Sequence, residues 1–384
     1  MTQYSNRDAV RLGRSAPLDT LRTILVVWII GGHAVLGYSN VGGWAYDEVS
    51  EVRLRPTVEL VLASILGPTA LFLMGTFFLI AGLFTPPALQ RKGARRFVKE
   101  RCLRLGVPFL ASVVVIWPLC MWVAYRSAGR TVSYRFLLTG RERLVDSGGL
   151  WFAEVLLLFS IGYVALAALP WPQRHSGSSP FTVTGMVCAA ALVTAATFLV
   201  RLGFSARGAE YLDLHVWQWP QLVGLFALGI LGARHGLSQQ VPRRLSRASG
   251  WIVVGCAVAA PVYAAVTNLN NLAADSEPYL GGWSGDALLL AAYEGLLVVF
   301  GSLWLLGFAQ RRLVADHPVW HRLRRSSFAA FVLQGPVLIL LAVALRPIGV
   351  PAEVKAVVVL LGGLFGCFML GWLLVTRTRI GRIV

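Results

Sequence analysis

The chain has 384 residues, of which 56% are hydrophobic and only 14% charged, with a formal net charge of +17. Soluble domains carry about 25% charged residues, so this balance, with a mean hydropathy of +0.66, excludes an ordinary soluble enzyme and indicates a polytopic membrane protein. The positive charge does not indicate nucleic acid, because the Lys and Arg residues sit in short segments between apolar runs, where they act as topology signals. The basic start (Arg7, Arg11, Arg14) leads into a first apolar run at 18–38. That run is long and interrupted by His33, and no A-x-A site follows, so it reads as a membrane span rather than a cleaved signal peptide.

Ten spans of about twenty residues are predicted, each long enough to cross roughly 30 Å of hydrocarbon. They run 18–38, 58–84, 106–125, 150–170, 181–201, 216–233, 250–267, 285–309, 327–345 and 354–375. The expected fold is all-α, a single membrane-embedded domain over 1–384 with short cytoplasmic tails at 1–17 and 376–384. With a cytoplasmic N-terminus, the basic clusters fall inside. The second-to-third connection has Arg91, Lys92, Arg95, Arg96, Lys99, Arg101 and Arg104. Further clusters are Arg234, Arg243, Arg244 and Arg247, then Arg311, Arg312, Arg322, Arg324 and Arg325, and the tail residues Arg377, Arg379 and Arg382. The opposite loop at 268–284 has no Lys or Arg, only Asp275 and Glu277. The 126–149 loop breaks the pattern with Arg126, Arg130, Arg135, Arg141 and Arg143, which suit an anionic substrate or headgroup or, as the favoured reading, are neutral detail. The five cysteines are scattered, without CxxC or Cys/His spacing, so neither a disulfide framework nor a metal site is expected. No appended soluble domain and no repeat between the halves is evident.

The first span carries the leading candidates. Arg22 and His33 are eleven residues apart, about three helical turns, so both leave one face at an axial separation of roughly 16 Å. Ionisable groups at membrane depth usually face a protein interior or a wet cavity. His33 suits a general base near neutral pH, or a hydrogen bond between helices. Arg22 suits anion binding or a snorkelling anchor, and Asp19 is expected to pair with a basic neighbour there. Arg101 and Arg104, three apart, share a helix face and suit bidentate phosphate binding, or simply set topology. Glu154, three residues after Trp151 at the start of the fourth span, needs a partner in the apolar run; it would orient His33, bind a hydroxyl or bond a neighbouring helix. Glu294 is a weaker candidate of the same kind. Together these residues suit a phosphate-bearing donor docked on Arg22, Arg101 and Arg104 whose reactive end meets His33 about 16 Å deeper. The pantetheine arm of coenzyme A has that reach, which makes acyl-CoA the expected donor.

At this point the chain resembles the acyltransferase-3 family of integral-membrane acyltransferases, most nearly its glucan-modifying succinyltransferase-like group. The family's Arg, ten residues, His pattern is Arg22 and His33, and its Arg-x-x-Arg is Arg101 and Arg104. Its Leu-Trp-Phe helix opening is Leu150-Trp151-Phe152. Its Phe-Phe-x-x-small-Gly run is Phe77-Phe78-Leu79-Ile80-Ala81-Gly82, and Gln90-Arg91-Lys92-Gly93 partly echoes a stretch of the glucan-modifying group. The resemblance implies O-acyl transfer, acetyl or succinyl, from cytoplasmic acyl-CoA to a hydroxyl of an extracytoplasmic saccharide or glycoconjugate in the plasma membrane. His33 would be the essential histidine, and Arg22, Arg101 and Arg104 would handle the donor. Where many relatives carry a second histidine, near the ninth span, this chain has Gln334, which cannot act as a base near pH 7. His33 is therefore expected to act alone. Two rival classes share the topology: a transporter or lipid-linked-sugar flippase, and a membrane sensor without chemistry.

Overall fold

The structure, a computed structural model, describes residues 3–42, 44–139, 145–169, 181–206, 208, 212–267, 275–313 and 317–378, with side chains from Ala16 onward. It is helical, with no strand among the described residues. Ten of these helices are long and apolar enough to cross a membrane: α1 Gln3–Leu36, α2 Pro56–Lys92, α3 Ala94–Ser127, α4 Gly148–Ala167, α5 Val183–Val200, α6 Val216–Arg234, α7 Arg243–Val266, α8 Gly285–Arg312, α9 Pro318–Leu345 and α10 Ala352–Arg377. Each corresponds to one predicted span. Ten crossings bring both chain ends out on one side, the terminal side.

The basic stretch between the second and third spans is almost wholly helical, with Arg101 and Arg104 on a helix as expected. α2 continues to Lys92, the chain reverses at Gly93 (φ +73°), and α3 begins at Ala94. Glu100 ties α3 to α2. It pairs with Lys92 across the turn and with Arg96 one turn back (3.0 Å), while Phe97 buries the inner face. α3 then widens into π turns at Cys102–Gly106 and Ser112–Ile116. Pro108 and Pro118 follow these turns and lack the N–H that would bond the carbonyls of Arg104 and Val114. The Tyr134 hydroxyl, from the short helix Tyr134–Thr139, donates to the freed Val114 carbonyl. Of the basic residues near this loop, Arg126 lies over Trp122 (5.9 Å) and Arg130 over Tyr125 (5.8 Å). Arg141, Arg143, Arg379, Arg382 and the 268–274 part of the acidic loop lie outside the described residues.

α1 is enclosed by α8, α9 and α10, while α2 runs along α6 and α3 touches α4 and α9. Small residues allow the α2–α6 approach, as membrane helices require. A Cβ on Gly229 would lie 2.9 Å from the Gly82 Cα. The glycine ending the Phe77–Gly82 run is therefore a packing residue, while the residues before it remain available to line a cavity.

The 37–55 segment folds back over the end of α1 opposite the terminal side. Trp44 and Tyr46 point inward and are buried. The Tyr46 hydroxyl donates to Glu51 (2.9 Å) and lies 3.2 Å from the Ala342 carbonyl, while Arg346 donates to the Val49 carbonyl (2.6 Å) and Lys355 to Glu51 (2.5 Å). Lys355 is only 1% exposed, so Glu51 supplies the counter-charge a buried ammonium needs. Burial pushes the Glu51 carboxyl up, but hydrogen bonds from Lys355 and Tyr46 outweigh it and hold it below its ordinary value.

Candidate active site

α1 carries one stripe at three- and four-residue spacing: Asp19, Arg22, Val26, Ile29 and His33. It faces two cavities in succession. The first, about 920 Å³, lies toward the terminal side. Arg22, Arg101, Arg104, Arg324 and Arg325 line it, with His321 and one carboxylate, Asp19. Asp19 pairs with Arg22 (3.2 Å), as expected, and the Arg22 guanidinium also lies over the Phe84 ring (4.8 Å). Arg101 lies over Phe97 (5.1 Å). Arg324 donates to the carbonyls of Trp320 (3.2 Å) and Ala16 (3.4 Å), which seats α9 against the start of the first span. Among the described residues, five guanidinium groups stand against one carboxylate, a balance that suits a polyanion, with forks matched to phosphate oxygens.

The second cavity, about 340 Å³, holds His33. Ile29, Met74 and Phe331 line both cavities, so the two abut across an apolar narrowing. Phe152 meets Phe331 edge-on there (4.7 Å). Its neighbour Trp151 faces the His33 cavity while Phe152 faces the cationic one. The Leu-Trp-Phe opening of α4 therefore flanks the narrowing from both sides. Phe77, Phe78 and Ala81 bring the second-helix run to the cationic cavity.

The imidazole is held on two sides. Its ring stacks on Trp44 (4.3 Å, 15°), and its Nδ1–H donates to Gln334 Oε1 (2.9 Å). An amide oxygen only accepts, so the contact fixes the proton on Nδ1 and leaves the Nε2 lone pair for the cavity. Gln334 is 2% exposed. A Cβ on Gly149 would lie 2.8 Å from Gln334 Nε2, so the α4 opening packs directly against the amide. That opening is itself anchored: Asp213 accepts from Ser147 N (3.0 Å) and Oγ (2.6 Å), and Trp151 stacks on His215 (4.2 Å). Asp213 and His215 both adopt positive φ, 56° and 49°, strain that is tolerated where surroundings over-determine the backbone.

Glu154 does not join this group. It lines neither cavity and makes no hydrogen bond to His33, and its Oε2 is enclosed without a hydrogen-bond partner among the described residues. The orienting contact belongs to Gln334, because α9 rather than α4 presents a polar side chain to the ring. Glu294 is a structural group, bonded to Arg201 (2.7 Å) and Gln221 (2.7 Å) away from both cavities. Reading the sequence as topology alone misses His321, Arg324 and Arg325 as cavity residues. The signal is there: His321, Arg325, Phe328, Phe331 and Gln334 recur every three or four residues along α9, with Arg324 beside Arg325, mirroring the α1 stripe. Trp44, in a loop, has no such periodicity.

No curated protein and no solved structure matches the chain. A family model described as an acyltransferase domain matches residues 16–376, from the start of the first span to the end of the tenth. With nearly all of its length within that match, the chain belongs to the acyltransferase-3 family and is a multi-pass membrane acyltransferase.

Proposed function

We propose that the protein transfers an acetyl or succinyl group from acyl-CoA, bound on a cytoplasmic terminal side of the plasma membrane, to a hydroxyl of a saccharide or glycoconjugate on the opposite side. The observation that carries this reading is the junction of the two cavities between Arg22 and His33. Five arginines surround a volume within the roughly 300–1,000 Å³ range of ligand sites and suit the phosphates of coenzyme A. The basic clusters on the terminal side support a cytoplasmic assignment. From the arginines, the thioester would pass the Ile29–Met74–Phe331 narrowing, an apolar channel matched to an uncharged carrier arm. The saccharide acceptor follows from the likeness to the glucan-modifying group.

In this mechanism His33 Nε2 takes the proton of the acceptor hydroxyl as its oxygen attacks the thioester carbonyl. The new C–O bond forms, the C–S bond breaks, and the imidazolium returns its proton to the departing CoA thiolate. Gln334 and Trp44 hold the ring so that the base needs no reorientation. The test is direct. Acetyl-CoA or succinyl-CoA should raise the melting temperature of the purified protein, as a ligand of the folded state does. His33→Ala should keep that shift and lose transfer, read by mass spectrometry of envelope glycans. Full transfer by the variant overturns the assignment of His33.

A further inference from the structure

We infer that the acceptor reaches His33 sideways, from within the bilayer, as a lipid-linked saccharide whose hydrocarbon lies between α1 and α2. This rests on the acyl-transfer reading of the His33 cavity. From 60 to 71, three turns of α2, not one residue is buried. The segment is apolar throughout but for Ser64 and Thr69, whose hydroxyls are turned back onto the Leu60 and Leu66 carbonyls. A membrane helix in a bundle normally buries one face on its neighbours. Here the inward residues Leu62, Ala63, Leu66 and Ala70 border the His33 cavity instead. A Cβ on Gly32 of α1 or Gly67 of α2 would meet nothing within 4 Å.

The cavity wall is more deeply buried above than at the side. Its roof is formed by Ser39, Leu54 and Glu59, at 3%, 3% and 9% exposure. The Glu59 carboxylate is filled by donors from that roof: the Ser39 hydroxyl, the N–H groups of Asn40 (2.7 Å) and Val41 (3.0 Å), and the Asn40 side chain (3.0 Å). At the flank, Trp28 is 37% exposed and Ala70 is exposed, and both line the same cavity. The route in therefore lies between α1 and α2, at the depth of the hydrocarbon, where the apolar lining holds a hydrocarbon tail that offsets the water its sugar must shed and a free glycan has no such anchor. The cationic cavity is shared by no part of this flank, so donor and acceptor approach from different directions and meet at His33.

The test uses the full chain in phospholipid nanodiscs doped with a dodecyl maltoside carrying a diazirine in its alkyl chain. Irradiation should label segments 28–33 and 63–70, and unlabelled dodecyl maltoside, but not maltose, should compete. Ala63→Trp should lower that labelling about tenfold by overfilling the cleft. Val61→Trp, on the outward face at 59% exposure, should not. Labelling no stronger than at the outward Leu361 and Phe365 of α10, or displacement by maltose alone, overturns the lateral route. The acetyl-CoA melting shift is read on the same samples. Its absence removes the acyl-transfer reading, while its survival beside scattered labelling removes only the lateral acceptor.

Discussion

At the scale of single residues, the site is an imidazole whose chemistry is set by an amide. A histidine in the position of Gln334 would bring a second titratable ring against His33; glutamine brings an acceptor that stays neutral and fixes one tautomer. Replacing Gln334 with Met keeps the bulk and removes the acceptor. Loss of one such hydrogen bond, worth ~1 kcal/mol, should lower kcat about fivefold to tenfold while the KM for acyl-CoA stays put. A purely structural role would instead lower the melting temperature without separating kcat from KM. His33→Ala removes the proposed base and should cost about 10²–10⁴ in kcat, measured by CoA release. Gly149→Ala tests the same contact from the other side. Its added methyl would meet the amide at 2.8 Å and displace it, so activity should fall although neither catalytic group has changed.

At the scale of elements, α1 and α9 work as a pair. Each carries cations at one end and a site residue three turns or so further along the same face: Arg22 to His33 on α1, Arg324 and Arg325 to Gln334 on α9. The pair is locked in register where Arg324 reaches the Ala16 carbonyl and where Gln334 reaches His33. Donor affinity should therefore depend on α9 as much as on the Arg-x-x-Arg of α3. Arg325→Ala and Arg101→Ala should each weaken acyl-CoA binding about tenfold to hundredfold, as expected for one charge-assisted hydrogen bond of about 1.5–3 kcal/mol, with melting temperature without ligand nearly unchanged. Isothermal titration with CoA reads the effect. Unchanged affinity in Arg325→Ala would remove α9 from the donor site.

At the scale of the whole molecule, the roof over His33 is tied to helices distant in sequence. Glu51 holds Lys355 of α10 and, at 3.5 Å, Arg346 at the end of α9. Its folded pKa lies below the ordinary value of 4.5, so its stabilising contribution is complete above that pH and is lost as pH falls through the depressed value. Protonation leaves Lys355 buried without its counter-charge. The wild-type melting temperature should fall as the pH drops below 4.5 and through the depressed Glu51 value. Glu51→Gln should melt lower at neutral pH and show a shallower acid limb. Equal acid limbs in the two proteins would mean that the roof is held by its backbone contacts alone.

Much of this protein is legible in its sequence because the bilayer imposes simple rules. A segment that crosses hydrocarbon must be helical, long and apolar, so ten spans and an all-α fold follow from hydropathy. A charged group on such a segment must have a use, so Arg22 and His33 stand out, and eleven residues place them on one face. Periodicity carries no information about which face of one helix meets which face of another. Packing alone brings Gln334 rather than Glu154 to the imidazole, seats a loop tryptophan against the ring and adds α9 arginines to the cationic cavity. It also leaves three turns of α2 without a buried residue. These are contacts between residues as many as 308 positions apart, decided by how side-chain volumes fit together across the bundle, and volume complementarity is a property of the assembled helices and not of any one segment.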